Sequence, residues 1–353
     1  MRPTVAINAR TLRVERELNA FLQTVEDQAV RDIVESWSNA WDAVAAEVDA
    51  ATLELTQAAQ GGRVTRTQVL RSHRAQAALA VMGEALEDLA ARTGFTVTSR
   101  LAQVVEAATV AEVDMIATQL TGTRRTELRA ALVRADASQI AAMVERATGQ
   151  ITSTALPLGP EATAAVRREL LLRGITVGEN PRQAARRMLR GVEDQFLGGA
   201  NRALVIARTE LLDAARAAQR WADEANAEVL AGWTWTAHLD PLTCRSCIAN
   251  HGTLHPIEEP GPIDHQQGRC ARVPKTKTWA ELGFEGIPDP PDTTPDAEAW
   301  FAGLSESQQR DILGDNGYAA WQAGDYPMDA WTRRRTTDGW RDSMVPTRPP
   351  AAA

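Results

Sequence analysis

Four residues in the C-terminal half of the chain have the types and spacing of metal ligands. Cys244 and Cys247 stand three positions apart, and His265 and Cys270 follow after seventeen intervening residues. Two cysteines at this spacing can point at one ion from a tight turn, and a pair from a second loop completes a tetrahedron. Thiolates and imidazole are donors that zinc prefers. The sequence therefore predicts one structural Zn²⁺ ion held by all four residues.

The same residues allow other interpretations. An odd number of cysteines argues against a disulfide framework, but three thiols buried in a small apolar core are an alternative. Zinc deaminases need a glutamate two residues after the first histidine, whereas Asp240 follows His238 and lies close to Cys244. Asp264 and His265 echo the start of a His-Asn-His nuclease hairpin, yet no histidine follows in the sequence. We therefore predict no catalytic residue, and keep a zinc-dependent nuclease or other nucleic-acid enzyme as the alternative function.

Turns and short strands must position the ligands. Asp240–Thr243 supplies a turn before the first cysteine pair, and Gly268 gives the second ligand loop its bend. Trp233–Thr236 alternates in polarity as a strand does. These features predict a small helix-plus-β-hairpin module. Zinc binding would stabilise it, because its own core is too small to supply the folding free energy.

Other polar residues are expected around this module. The histidines are assigned as follows: His251 and His255 on a hairpin surface, and His238 as a group that contacts a ligand. Arg208 lies on an apolar face of a helix, so its charge needs an acidic partner if the side chain is buried. Asp240 or Glu210 would serve, which predicts a structural clamp between the helix and the ligand loop. The alternative is an exposed arginine.

The N-terminal part of the chain has the pattern of long helices. No proline occurs between Pro3 and Pro157, and apolar residues from Val14 to Leu55 recur about every 3.7 positions, which is a helical period. Helices are predicted at about 9–59, 66–92, 97–120 and 124–147. The interpretation is a helical bundle with a scaffolding or docking role.

The whole chain is predicted to be α+β, mostly α. Further helices are expected at about 161–173, 180–191, 199–226, one capped by Thr294, and 305–313. Eleven acidic residues and one basic residue lie between Glu281 and Asp329. The predicted division is a helical N-terminal domain (1–150), a linker (151–160), the zinc module with its preceding helices (161–280), an acidic helical segment (281–330), and a basic, then Pro/Ala-rich tail (331–353).

Charge and hydropathy limit the function classes. The net charge of −8 disfavours a globally basic nucleic-acid binder but allows local patches. The candidates for phosphate or protein contacts are Arg182, Arg186, Arg187, Arg190, Arg269 and Arg272. The first four form a stripe on one helix, for which a solvated face is the alternative. No apolar run reaches 18 residues and the start does not look like a signal peptide, so we expect a protein made in the cytoplasm with no membrane segment.

Several of these residues, taken in order, resemble the Mu F-like phage head morphogenesis family. The resemblance rests on Ile206-Ala207-Arg208-Thr209-Glu210, Trp235, Asp240, the cysteine pair, Gly252, His265 and Cys270, and it covers about residues 170–325. The second ligand loop of the family usually reads His-Pro-x-Cys-Arg-Cys. Here the proline and the first of those cysteines are missing. The spacing between the histidine and the last cysteine is kept, so four ligands remain.

The resemblance implies a minor capsid protein of the virion, present in few copies in the head interior or at the portal. Its implied partners are the portal protein, capsid or scaffold proteins and, through nonspecific contacts, packaged double-stranded DNA. N-terminal parts differ widely among members, so residues 1–150 inherit little from it.

Overall fold

The computed structural model of the protein describes residues 7–58, 66–120, 127, 130–155, 181–266, 268–337 and 340–350. Long helices dominate these ranges. The helices of the N-terminal part are α1 (Ala9–Ala58), α2 (Arg66–Arg71), α3 (His73–Thr98), α4 (Leu101–Gln119) and α5 (Ala137–Ala155). In none of the described helices is there a stretch of the length and apolarity needed to cross a bilayer.

The first helix follows the predicted periodicity closely, but several predicted boundaries are wrong. Helix α3 runs through Gly94 instead of ending there, and α5 continues through Gly149 to Ala155. A helical glycine costs only about 1 kcal/mol relative to alanine, which a long helix with a buried face tolerates. Helix α5 begins at residue 137 because the Asp136 carboxylate accepts from the Ser138 and Gln139 amides. The predicted helix at 161–173 lies outside the described residues.

One 45-residue helix, α6 (Pro181–Ala225), replaces the two helices predicted at 180–191 and 199–226. Gly198 and Gly199 lie inside it, and a Cβ added at Gly198 would meet no atom within 4 Å. The helix continues through both glycines. The last turns of α6 lead directly into the module that holds the predicted ligands.

A three-stranded antiparallel sheet follows α6. Its strands are β1 (Leu230–Thr236), β2 (Leu254–His255) and β3 (Ala271–Thr276), in the order β2-β1-β3. Trp233 pairs with His255 on one side and with Pro274 on the other. Gly232, with φ 152°, stands where a Cβ would lie 2.3 Å from the His255 carbonyl oxygen. The predicted strand at residues 233–236 is confirmed as part of β1. Between β1 and β2 lies the short helix α7 (Arg245–Asn250).

The C-terminal part contains more structure than predicted. Its elements are α8 (Ala297–Ala302), α9 (Glu306–Leu313), α10 (Asp315–Gln322), β4 (Thr332–Thr337) and β5 (Trp340–Pro346). The cap of α8 is Asp296, whose carboxylate accepts from the Ala299 amide, and not Thr294. The hairpin of β4 and β5 occupies the segment assigned to a basic tail. Its register places Arg334 opposite Met344.

The chain divides into two compact units. Unit 1 comprises residues 1–23, 102–144 and 212–353, and unit 2 comprises 24–101 and 145–211. A core cluster of unit 1 contains Trp233, Trp235, Cys247 and Cys270, and another contains Ile248, Phe301, Leu313, Tyr326 and Trp331. The consecutive domain boundaries inferred from the sequence stay a prediction.

Candidate metal centre

Three of the four predicted ligands converge in unit 1. One donor atom from each of Cys244, Cys247 and His265 lies within 4.8 Å of the other two. Cys244 is the N-cap of α7, and its Sγ accepts from the Cys247 amide at 3.4 Å. The helix start therefore fixes both thiols of the first pair on one side of the turn.

The turn before Cys244 forms as the sequence predicts. The Asp240 carboxylate accepts from the Leu242 amide at 2.8 Å and from the Thr243 hydroxyl at 3.0 Å. This is the local hydrogen bonding by which aspartate favours a turn. The turn delivers the chain to the first turn of α7, where Cys244 caps the helix.

The fourth predicted ligand, Cys270, lies beside Cys247. Both side chains are buried, and the Cys247 thiol is within hydrogen-bonding reach of Cys244 and of Cys270. Cys270 is not among the three donors that are mutually close, but it lines the same cavity. The residues around that cavity are His238, Leu242, Thr243, Cys244, Cys247, His265, Arg269 and Cys270.

The interactions within the cluster separate the protonation states of its members. A hydrogen bond with Cys247 lowers the pKa of Cys244 to about 4, and the adjacent His265 acts in the same direction. The hydrogen bond to Cys244 raises the pKa of His265 to about 9. Hydrogen bonds with Cys244 and Cys270 raise the pKa of Cys247. The His265 ring makes a 2.9 Å hydrogen bond from Nδ1 to the Gln266 carbonyl, so Nε2 is the nitrogen that would bind a metal ion. Thiolate and imidazole donors fit zinc better than magnesium or calcium.

The other histidines have structural contacts. His251 is buried, contrary to its predicted place on a surface: Nδ1 accepts from the Ala237 amide at 2.9 Å and Nε2 lies 3.0 Å from the Pro295 carbonyl. Burial lowers the pKa of this imidazole. His255 stacks on Trp233 with ring centroids 4.4 Å apart. His238 is half exposed at the rim of the ligand cavity.

Asp240 and Glu210, the acidic residues of the predicted clamp, both accept hydrogen bonds in the structure. Asp240 accepts two hydrogen bonds from Arg269, at 2.9 and 3.1 Å. Glu210 accepts from Gln150 at 3.3 Å within unit 2, to which Arg208 also belongs. The clamp proposed for Arg208 stays a prediction, and Arg269 is engaged with the turn before the cysteine pair.

Arg272 is not available as the surface contact that the sequence suggested. Its side chain is fully buried, and Nε donates to Asp223 at 2.6 Å. The two terminal nitrogens donate to the Glu259 and Ile257 carbonyls, and the guanidinium lies 4.6 Å from the Trp233 ring. The side chains of Arg182, Arg186, Arg187 and Arg190 lie outside the described part of α6, so their role stays a prediction.

Two residues that position the ligand loop were missed. Arg216 of α6 forms a buried, two-pronged ion pair with Asp264, the residue directly before His265. The sequence does contain a signal, because Arg216, Gln219 and Asp223 interrupt an apolar helix face at spacings of three and four. Polar residues on a buried face need partners, although the pattern does not say which.

The centre thus combines a short helix capped by a cysteine, a ligand loop held by a buried ion pair, and a small antiparallel sheet behind them. This is a compact Cys/His module built onto the end of a long helix. Residues 166–275 match the family model described as Phage Mu protein F like protein. This similarity agrees with the resemblance to the phage head morphogenesis family that the sequence predicted, although the match covers under a third of the chain and ends before residue 325. The similarity supports a role in head morphogenesis, a location in the virion and interaction with other virion proteins. No curated protein and no solved structure was found to match the chain.

Proposed function

We propose that Cys244, Cys247, His265 and Cys270 bind one Zn²⁺ ion whose role is structural. The observation that carries this proposal is the convergence of three donors within 4.8 Å, with a fourth thiol beside Cys247. A set of four protein ligands leaves no coordination position for a substrate, which is typical of a structural zinc site. Both Cys247 and Cys270 are buried, so the ion would join α7 to the ligand loop through the core cluster around Trp233 and Trp235.

We further propose that the chain is a non-enzymatic minor head protein that associates with the portal and with the capsid interior. Similarity to the Phage Mu protein F like family over residues 166–275 supports this. The long N-terminal helices provide elements that are suited to docking on other virion proteins. Packaged double-stranded DNA is proposed as a nonspecific partner, with the stripe from Arg182 to Arg190 as the contact.

The position of the chain in assembled particles tests this proposal. Quantitative mass spectrometry on purified heads should find a few copies of the chain in each particle. Heads assembled without the portal protein should lack it. Absence from complete heads, or equal amounts with and without the portal, would contradict the portal association.

The DNA contact has a separate test. Arg186→Ala combined with Arg190→Ala should weaken binding of the full-length chain to duplex DNA and reduce the dependence of affinity on salt, because fewer counterions are released. Wild-type affinity that does not fall with added salt would reject a phosphate contact.

The second candidate function is a zinc-dependent nuclease. The half-exposed His238, at the rim of the ligand cavity and 4.0 Å from Asp240, is the observation that favours it. A nuclease assay with wild type and His265→Ala in several divalent metals separates the two functions. The structural role predicts that wild type cleaves nothing and that the variant loses folded structure. Metal-dependent cleavage by wild type that His265→Ala abolishes would establish the enzyme instead.

A further inference from the structure

An arginine side chain of helix α6 attaches the ligand loop to that helix. Arg216 is 7% exposed and donates from Nη1 to one carboxylate oxygen of Asp264 and from Nη2 to the other, each at 2.9 Å. Nη2 also donates to the Gly268 carbonyl at 3.1 Å and to the Cys270 carbonyl at 2.8 Å. One guanidinium therefore holds the beginning, the middle and the end of the loop from residue 264 to 270.

Asp264 completes this arrangement from inside the loop. Its side chain is fully buried, and one carboxylate oxygen accepts from the Cys270 amide at 3.2 Å. Gly268 makes room for it, because a Cβ there would lie 2.1 Å from the same carboxylate. Both proposed ligands of this loop are close to these contacts. His265 directly follows Asp264 in the chain, and the amide and carbonyl of Cys270 both take part in the hydrogen bonds.

The strength of the attachment follows from its burial. A two-pronged arginine–carboxylate pair fixes the orientation of both partners, and removal of one partner leaves an uncompensated buried charge. A loop whose geometry is fixed before the ion arrives loses little conformational entropy when it binds. The ion pair can therefore increase the affinity for metal as well as the stability of the fold.

We infer that Arg216 and Asp264 are a positioning pair that holds His265 and Cys270 in ligand geometry, so that metal affinity is set in part by helix α6. The inference depends on the proposed zinc site. Partners of metal ligands typically change affinity by about 10- to 100-fold when they are removed. A role in folding alone would lower the free energy of unfolding and leave the affinity for metal unchanged.

The test uses the full-length chain and zinc competition against a chelator of known affinity, with folding checked by circular dichroism. The variants are Arg216→Met, which removes the charge, Arg216→Lys, which keeps the charge but not the two-pronged geometry, and Gly268→Ala, which displaces Asp264. The control is Arg220→Met, one turn further along α6, where the arginine pairs with Glu224 at the surface. Co²⁺ absorption gives a second readout, because the bands of bound cobalt report the ligand geometry directly.

We expect about 10- to 100-fold weaker zinc binding for Gly268→Ala and Arg216→Met, a smaller loss for Arg216→Lys, and no change for Arg220→Met. The cobalt bands should shift in the three loop variants only. If Arg216→Met does not fold, the lysine and Gly268→Ala variants decide the matter. Folded variants that bind zinc as tightly as wild type, with wild-type cobalt bands, would overturn the inference alone. A wild-type chain that binds neither metal would overturn the zinc site as well.

Discussion

At the level of single residues, unit 1 contains a buried charge cluster besides that of Arg216 and Asp264, and this cluster has more acidic than basic side chains. Arg272, Asp223 and Glu112 are all fully buried, which places two carboxylates beside one guanidinium. Gln219 donates to Glu112 at 2.6 Å, and Glu112 is within hydrogen-bonding reach of Asp223. Burial, together with the nearby Asp223, raises the pKa of Glu112 well above its usual value. A proton on Glu112 would leave the cluster neutral, with Asp223 as the counterion of Arg272.

This balance predicts opposite outcomes for two similar substitutions. Glu112→Gln should change the free energy of unfolding by less than about 1 kcal/mol, because an amide can accept from Gln219 and donate to Asp223 as the protonated acid does. Asp223→Asn should cost about 3–5 kcal/mol, because Arg272 then loses its direct ion pair and depends on Glu112, whose ionisation is opposed by burial. Urea unfolding at pH 7 measures both. A larger loss for Glu112→Gln than for Asp223→Asn would show that the proton is on the other carboxylate.

Glu15 is a buried acid whose ionisation should make the stability of the fold depend on pH. Burial raises its pKa to about 7, from an ordinary value of 4.5, against the smaller lowering effects of Arg16 and Asn19. Between these pH values the folded state binds more protons than the unfolded state, so stability falls as the pH rises from about 4.5 to above 7. Glu15→Gln removes this loss, which amounts to about 3 kcal/mol at full ionisation.

The stability gain from Glu15→Gln should therefore be large at pH 8 and small at pH 5. Glu17→Gln is the matched control, because Glu17 is exposed two residues further along the same helix. Chemical denaturation at several pH values measures both variants. A gain that is the same at pH 5 and pH 8 would contradict a titrating, buried Glu15.

The ligands could be predicted from sequence because their chemistry is local: Cys244 and Cys247 are three positions apart, and few residue types bind zinc. Arg272 could not be placed in the same way. Its carboxylate partner, Asp223, lies 49 positions away on a helix, and nothing next to Arg272 in the sequence marks it as buried. Three of the predicted ligands converge as expected, while the buried ion pairs around them depend on the packing of α6 against β3.

At the level of elements, the outer edge of strand β3 is closed by side chains instead of a further strand. Arg216 donates to the Cys270 carbonyl just before the strand, and Gln219 donates to the Arg272 carbonyl at 3.1 Å. Two residues further along, Gln119 of α4 donates to the Pro274 carbonyl at 2.7 Å and accepts from the Thr276 amide at 3.1 Å. These contacts satisfy backbone groups that would otherwise offer an edge for aggregation.

Gln119→Met should therefore destabilise the sheet edge. The thioether can neither donate to Pro274 nor accept well from Thr276, and a buried backbone group without a partner costs about 1–3 kcal/mol. We expect a loss of about 2–4 kcal/mol in urea unfolding and faster hydrogen exchange at the Thr276 amide. Gln322→Met, at the end of α10, is a control at a surface glutamine. Unchanged exchange at Thr276 would show that Gln119 does not close the edge.

Helices were predicted better than their ends. The apolar period from Val14 to Leu55 follows from burial of one face along the whole of α1, so the sequence alone places that helix. Gly94, Gly149 and the pair at Gly198 were each taken as helix ends, but packing of the flanking turns outweighs the local preference of glycine. The hairpin of β4 and β5 was missed because three consecutive arginines obscure the alternation expected of a strand.

At the scale of the whole molecule, unit 1 draws on segments from both ends of the chain. Gln119 and Glu112 of α4 satisfy groups of β3 and α6 inside this unit. The Ile7 carbonyl accepts from both the amide and the hydroxyl of Thr293. The matched family region, residues 166–275, therefore relies on residues far outside it for part of its core.

A fragment of residues 151–353 should consequently fold poorly, even with zinc present. It lacks the glutamine that closes β3 and the carboxyl group that accompanies Asp223. We expect no cooperative thermal transition by circular dichroism and exposure of apolar surface to a hydrophobic dye, in contrast to the full-length chain. A monomeric fragment with a sharp transition would instead support the consecutive domains predicted from the sequence.

The fold of the module depends, in our proposal, on four side chains that hold one ion. Native mass spectrometry of the purified, reduced full-length protein, combined with elemental analysis for zinc and thermal unfolding before and after chelation, is the decisive experiment. We expect one zinc per chain, loss of the metal in Cys244→Ser and in Cys270→Ser, and a lower melting temperature once the metal is removed. A folded, metal-free protein whose melting temperature does not respond to added zinc would contradict it.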